Sequence, residues 1–552
     1  MTNAELAAPF RELARVMEYL GENPFKARSY ARAHDVIRKA PAPLAAADRE
    51  TLLGMPGIGS AISDKIIALA QTGRLPTLER YRARVPGGVR DLLGVRGLGP
   101  KKVRQLVDEL GVGDVGELLH AVRENRVVAL RGFSDKTQDK LREQLEFHQR
   151  SRGHAKFADV ERAAGVLLDR LRASGADAAF AGELARQSPV VTVVEIVATP
   201  PADAVLLAAG DWTRDGGGGR WRGRVGELSA LVRVVARARF AYACVVGSLG
   251  PGFRSEHPRL ERLDADGAFA SEREVFAAAG LPDVPAPQRE SRSPWPPIPA
   301  SEVIVPDDVR GVVHAHTTWS DGSADIRTMA TAARDAGYAY LAITDHSKAA
   351  GYAGGLQPAR LREQIATIRA LDAELDGITL FAGTECDILR DGTLDYDDDL
   401  LAELDLVIAS VHSVLHMSEA DATSRILRAL EHPRVDILGH PTGRLLLGRP
   451  GYPLDVEAVL DACAARDVAV ELNASPYRLD LDWTHLAAAV GRGVLVSINP
   501  DAHSTAGIGD IRYGVLAAQK AGLRPSECLN ARSASEFAAW LRRRRAHSSA
   551  GG

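Results

Sequence analysis

Cysteine is scarce in this chain and unpatterned. Its four residues, Cys244, Cys386, Cys463 and Cys528, include no C-x-x-C pair, which argues against a disulfide framework and against a structural zinc knuckle. Nor does any apolar run reach membrane-spanning length, and the opening MTNAELAAPFREL reads as an amphipathic helix start rather than a signal peptide. A cytoplasmic protein with no membrane partner is the expectation. A large excess of one charge is also missing. The formal net charge is −4, with 45% hydrophobic and 25% charged residues, so neither disorder nor a fibrous class is indicated. At 552 residues the chain is too long for one core, and three or more domains are expected. The near-neutral total conceals an asymmetry: residues 1–150 hold 25 Lys+Arg against 19 Asp+Glu, and the remainder 43 against 53. A basic front and an acidic back suit a polyanion-binding end joined to a metal-binding end.

The front begins with a period of 3.6, placing Leu6, Phe10, Leu13, Met17 and Leu20 on one helix face. Two related segments follow, LLGMPGIGSAISDKIIAL at 52–69 and LLGVRGLGPKKVRQLVDEL at 92–110. In each, a Gly-x-Gly (Gly57 and Gly59, then Gly97 and Gly99) separates apolar residues from a new amphipathic helix. Glycine permits the tight turn, and the amides at the next helix N-terminus can bind a phosphate, with Lys101, Lys102 and Arg104 placed for a second contact. This is the helix-hairpin-helix pattern, which predicts salt-sensitive, sequence-independent binding to a nucleic-acid backbone. The alternative is a pair of tight αα-turns with a packing role only. A third segment, LRGFSDKTQDKL at 130–141, has Ser134 where the second glycine belongs and is a weaker match.

ENPFKARSYARA (22–33), the two hairpins and QTGRLPTLERY (71–81) resemble the N-terminal part of a bacterial family X DNA polymerase. Lys65 falls where lyase-competent members carry a Schiff-base lysine, although a single lysine on a helix is equally what a solvated surface presents. The resemblance implies a palm with a Gly-Ser phosphate turn, an Asp-x-Asp strand and a third Asp on a neighbouring strand. AGELARQSPVVTVVEIVATP (181–200) keeps Gly182 but has Glu183 for the serine, Ala185 for an arginine, and Val193 and Glu195 at the two aspartate positions; Leu231 occupies the third. VVGSLGPGF (245–253) retains the thumb-side Gly-Ser. Two-metal nucleotidyl transfer needs a carboxylate cluster, so this palm is expected to fold and not to polymerise, acting as a spacer or a surface for DNA.

The segment 282–308 is rich in proline and charge and reads as an extended linker. From 310 onward short β-branched runs alternate with amphipathic helices, the pattern of a βα barrel or parallel sheet. Seven runs are GVVHAH (311–316), YLAITDH (340–346), TLFAGTEC (379–386), LDLVIASVH (404–412), VDILGH (435–440), VAVELN (468–473) and VLVSINPDAH (494–503). Nearly all end in His, Asp or Glu. Strand C-termini of such barrels converge on one mouth, so His314, His316, His346, Glu385, His412, His440, Asp501 and His503 are expected to meet there, with Asp321 from the first loop. Asn473 is expected to orient a neighbour rather than to ligate. His120, His416, His432 and His485 are read as surface or helix residues, and DYDDDL (395–400) as a solvated turn.

This arrangement resembles the polymerase and histidinol phosphatase (PHP) domain, whose pattern of H-x-H, Asp, single His, Glu, two further His and a final D-x-H is matched at all nine positions. The resemblance implies a distorted seven-strand barrel holding up to three ions. His314, His316, Glu385 and Asp501 would form one site; Glu385, His412 and His440 a second; Asp321, His346 and His503 a third. Imidazole and carboxylate donors suit Mn²⁺ or Zn²⁺, and such a cluster suits phosphoester hydrolysis, with Glu385, His440 and Asp501 central. Arg444, then Lys348, are candidates to hold a substrate phosphate. The expected fold is multidomain: helix-hairpin-helix regions at 1–85 and 86–150, an α+β nucleotidyltransferase-like palm and thumb at 151–281, a linker at 282–308, and a (β/α)7 PHP barrel at 309–552. The expected activity is hydrolysis of DNA in repair, as a 3′–5′ exonuclease, a 3′-phosphatase or an abasic-site endonuclease. A histidinol-phosphate-type phosphatase and an active polymerase are the alternatives.

Overall fold

The computed structural model describes all residues except 2, 41, 96, 124–125, 152, 217–218, 264–267, 291–297, 416 and 550–552. His416 and part of the Pro-rich segment therefore lie outside the described residues. The chain divides into two compact units, Met1–Arg152 and Gly153–Gly552. Among the described residues, no helix is long and apolar enough to cross a membrane.

The first unit is helical. Helix α1 (Asn3–Tyr19) buries Leu6, Phe10, Leu13 and Met17, the stripe its period demands. Helix α2 (Pro24–Lys39) starts on Pro24 at its first turn, with the Asn23 side chain accepting from the Phe25 amide at 2.9 Å. The hairpins lead into α3 (Ser60–Thr72) and α4 (Pro100–Leu110), and α5 (Asp135–Ser151) closes the unit. A single apolar core runs from Leu6 to Leu145, so the segments expected as separate domains at 1–85 and 86–150 share one interior.

The second unit opens with α6 (Phe157–Ala173) and a five-stranded sheet of β1 (Ala178–Ala181), β2 (Val193–Ala198), β3 (Thr213–Asp215), β4 (Arg220–Val225) and β5 (Leu228–Val234), in the order β1-β2-β5-β4-β3. Alternation puts Val194, Ile196, Trp221, Ala230 and Val232 on the face covered by α6. The barrel follows, with strands β6 (Gly311–Ala315), β7 (Tyr340–Ile343), β8 (Thr379–Asp387), β9 (Leu406–Ser410), β10 (Ile437–Leu438), β11 (Ala469–Asn473) and β12 (Val496–Asn499). All seven are parallel and lie side by side in chain order, and a bridge between Ala315 and Ala502 draws the two edges together. Nearly every strand residue is buried, as parallel strands covered on both faces require.

The described ends of the segment read as an extended linker, 282–290 and 298–308, are docked. Ile304 and Val309 belong to the barrel core, and the Ile304 amide donates to the Leu523 carbonyl at 2.9 Å. Palm, linker and barrel are pinned by a buried ion cluster. Glu290 accepts from Lys520 Nζ at 2.6 Å and from Arg186 Nε at 2.9 Å, and Lys520 sits in α7 (Ile511–Ala521) of the barrel.

Candidate metal centre

The strand ends bring the nine expected side chains to one place. His314 is the fourth residue of β6 and Glu385 lies within β8, while His412, His440 and Asp501 each sit two residues beyond β9, β10 and β12. Glu385 is the hub: Oε1 lies 2.9 Å from His440 Nε2, 3.1 Å from His412 Nε2 and 3.4 Å from His314 Nε2, and Oε2 lies 2.9 Å from His346 Nδ1. Asp501 Oδ1 is 3.2 Å from His316 Nε2, and Asp321 Oδ1 is 3.4 Å from His503 Nε2. Donor atoms form four overlapping groups able to hold a metal ion: His316, Asp321, His346 and His503; His314, Glu385 and His440; His314, His316 and Asp501; His346, Glu385 and His412. Among the described residues, every such group lies in the barrel.

The donor set fits metal ions. His314 Nε2, both ring nitrogens of His316 and Glu385 Oε2 are buried with no hydrogen-bond partner. Polar atoms are costly to leave so, and an ion would satisfy them. Backbone strain collects at the same residues, since His314, His440 and Asp501 hold φ of 69°, 23° and 53°, a region non-glycine residues rarely adopt.

The electrostatics follow from burial set against close opposite charge. Burial disfavours the ionised forms of Glu385 and Asp501, yet the imidazoles around them, His412 and His314 foremost, hold both well below the usual carboxylate range. Asp321, despite burial, is held down to about 2 by His503. His412 rises to about 10 and His503 to about 9, as Glu385 and Asp321 respectively outweigh burial. His316, buried among His503 and His346, falls to about 3.

An outer layer of polar residues, of which the sequence-based expectations name Asn473, orients the clustered side chains. Glu471 Oε2 lies 2.7 Å from His314 Nδ1 and accepts from Asn499 at 2.8 Å, while Oε1 accepts from Asn473 at 2.8 Å and from the His440 amide at 3.2 Å. Asn473 also donates to Asp501 at 3.1 Å, which is the orienting part expected of it. Asp387 lies 3.2 Å from His412 Nδ1. Asp345 accepts from the Thr317 amide and hydroxyl at 2.8 and 2.7 Å, fixing the loop that carries Asp321. Asp395, read above as part of a solvated run, is buried and accepts from the Ala349 amide at 2.7 Å.

Arg444 does not serve as a free phosphate-binding cation. Its three guanidinium nitrogens donate to Asp482 and to the carbonyls of Arg478 and Leu479, which clamps the 475–482 loop. That loop instead presents Arg478, whose Nε is 3.8 Å from Asp501 Oδ2. Lys348 faces Asp395 at 3.9 Å.

In the palm, Glu195 and Leu231 face each other across β2 and β5, with Val193 on the same face two residues earlier. A Cβ on Gly182 would sit 1.9 Å from a Glu195 carboxylate oxygen, so that side chain fills the space above the Gly182 turn. Burial raises the Glu195 pKa, against Arg186 and Arg233. Glu183 is consumed by the Thr192 amide and hydroxyl at 2.5 and 2.8 Å.

The hairpins differ in how their helices start. Gly57 and Gly97 hold φ of 98° and 83°, and Gly59 and Gly99 precede α3 and α4 with no side-chain cap, leaving the first amides unclaimed by side chains. In the third segment Ser134 Oγ accepts from the Thr137 amide at 3.3 Å, so α5 caps itself. Lys65 Nζ donates to its own helix at the Ala61 carbonyl, 3.1 Å away.

Three family models match the chain: a helix-hairpin-helix domain over residues 1–75, a SAM-like helix-hairpin-helix tandem over 89–146, and a PHP domain over 313–475. Fold and cluster thus define a PHP barrel on a chain with tandem hairpins. Over almost its whole length the chain is also similar to the DNA polymerase/3′–5′ exonuclease PolX of Bacillus subtilis strain 168, 35% identical over 569 residues, covering 96% of this chain and 98% of the relative. It belongs to the bacterial family X DNA polymerases that carry a PHP domain. The barrel region alone is similar to a probable phosphatase of Thermoanaerobacter sp. strain X514, 28% identical over 35% of this chain and 85% of the relative. A probable phosphatase of Syntrophotalea carbinolica is 31% identical over 40% and 90% respectively.

Proposed function

We propose that the chain is a metal-dependent 3′–5′ exonuclease on DNA that has lost polymerisation. The observation that carries this reading is the nine-residue cluster of six imidazoles and three carboxylates, in which His314 Nε2, both ring nitrogens of His316 and Glu385 Oε2 are buried without a hydrogen-bond partner. His314, His316, Glu385 and Asp501 would hold one ion, Glu385 with His412 and His440 a second, and Asp321, His346 and His503 a third. The absence of thiolates and the share of imidazoles favour Mn²⁺ or Zn²⁺. When bound, such ions supply Lewis-acid stabilisation of charge on phosphoryl oxygens and make water a usable nucleophile near neutral pH. Arg478 binds and orients the substrate phosphate beside Asp501, and Glu471 fixes the ring of His314. The uncapped hairpins supply backbone affinity. Polymerisation fails because Val193 and Leu231 cannot ligate and Glu195 alone cannot hold a metal pair.

The resemblance of the barrel to probable phosphatases favours a second reading, hydrolysis of a small phosphate ester by the same centre. The two are separated by giving the protein Mn²⁺ and a labelled 3′-recessed duplex, with and without deoxynucleoside triphosphates. Shortening to mononucleotides is expected, and His440→Ala should abolish it while DNA is still retained. Lengthening would overturn the loss of polymerisation, and turnover of small esters with intact DNA would favour the second reading.

A further inference from the structure

Directly opposed residues on neighbouring strands share a sheet face. In β4 and β5 the pairs are Arg220 with Arg233, Arg222 with Leu231, and Arg224 with Ser229; β2 adds Val193 beside Ser229 and Glu195 beside Leu231. The face on which family resemblance puts catalytic carboxylates therefore bears four arginines against two carboxylates, Glu195 and Asp215, the latter opposite Arg220. Helix residues Ala243 and Cys244 cover it near Val197, whereas Arg220, Arg222 and Arg224 are exposed. Residues 213–239 contain seven arginines against two carboxylates, Asp215 and Glu227. Both carboxylates are already matched, Asp215 with Arg222 at 2.8 Å and Glu227 with Arg224 at 3.6 Å. Among the described residues Arg220 and Arg233 make no ion pair; they face each other, and although Asp215 lies opposite Arg220 and Glu195 is near Arg233, like charges so placed cost stability. An anion bridging them would remove that cost.

We propose that this open face, centred on Arg220 and Arg233, binds the phosphate backbone of single-stranded DNA. The inference rests on the reading that the chain acts on DNA. Alternate residues of β4 stand about 6.7 Å apart in a straight row, close to the spacing of successive phosphates along an extended strand. The backbone of a duplex would curve away from so short a flat row. The charge of the face is thereby shifted: Val193 and Leu231 carry none, Glu195 and Asp215 are the carboxylates that remain, and four guanidiniums outnumber them.

The test compares the full-length protein with its R220E/R233E variant, by fluorescence anisotropy on a phosphorothioate oligothymidylate and on a blunt duplex, across a salt series. Losing two phosphate contacts should lower the single-strand salt slope by about 1.4 and weaken affinity roughly tenfold, while the blunt duplex, held by the hairpins, binds as before. Unchanged single-strand affinity and slope would overturn the proposal, and so would an equal loss on the duplex. Circular dichroism and small-ester turnover report whether the fold and centre are intact; should the reversal misfold, R220Q/R233Q decides by the same two criteria. If the unaltered protein binds neither DNA while hydrolysing a small ester, it is the DNA reading itself that fails.

Discussion

His314 shows what the cluster asks of single side chains. One ring nitrogen faces Glu385 and the other is held by Glu471, at a backbone φ that histidine seldom adopts. Glu471 receives four donors, His314 Nδ1, Asn473, Asn499 and the His440 amide, so it must act purely as an acceptor. In Glu471→Gln, an amide NH₂ would meet one of those donors. Metal affinity measured by titration calorimetry should fall by roughly 10–100-fold with all nine ligands still present. The two arginines should part company. Arg444→Ala strips partners from the Arg478 and Leu479 carbonyls and should cost roughly 1–3 kcal/mol of stability, read as a lowered melting temperature. Arg478→Ala should leave melting within about 0.5 kcal/mol and lower turnover by roughly 10²–10³, with partial rescue by lysine. Eight of the nine clustered side chains were legible in the sequence because they recur at or just beyond strand ends, and Asp321 because it follows the first of them in the same motif. Glu471 was not, because it lies inside the run VAVELN, where only its charge in a buried strand hinted at a partner. Arg444 and Arg478 differ by which loop neighbours accept their protons, and no spacing rule carries that.

At the scale of elements, the hairpins were readable because Gly-x-Gly constrains the backbone directly. What the sequence left open was whether a matching segment exposes its amides. Gly97 sits at φ 83° ahead of an uncapped α4, whereas Ser134 caps α5 itself. Gly97→Val should strain the turn and weaken retention of duplex DNA, measured by anisotropy at low salt, with small-ester turnover retained because that reaction needs no backbone contact. Ser134→Ala should cost about 1 kcal/mol in thermal unfolding and leave duplex affinity alone. Equal losses of affinity in the two variants would mean that the third segment binds DNA too. The linker was misjudged for a related reason: proline and charge describe its composition, but Ile304 and Glu290 take their role from Leu523 and Lys520, more than 200 residues away in sequence.

On the scale of the whole molecule, proton and metal compete for one site. His412 and His503 are raised to about 10 and about 9, and His314 is raised well above its ordinary value as Glu471 and Glu385 outweigh burial, so near neutral pH these rings carry protons that an incoming cation must displace. Asp321, Glu385 and Asp501 are depressed and remain ionised, adding no proton to the exchange there. Metal affinity should therefore rise with pH across the neutral range, about tenfold per unit for each obligatory proton released, and flatten only above the raised imidazole values. Calorimetry in buffers of different ionisation enthalpy would count the protons. Folding reports the same coupling, because an ion bound only by the native barrel stabilises it by about 4 kcal/mol at a thousandfold excess over Kd. The helical unit has its own core and, among the described residues, contributes no side chain to the cluster, so chelation should lower the melting transition of Gly153–Gly552 and leave that of Met1–Arg152 in place. Affinity independent of pH would mean that binding displaces no proton from this cluster, and a chelator effect on both transitions would mean that metal also binds outside it.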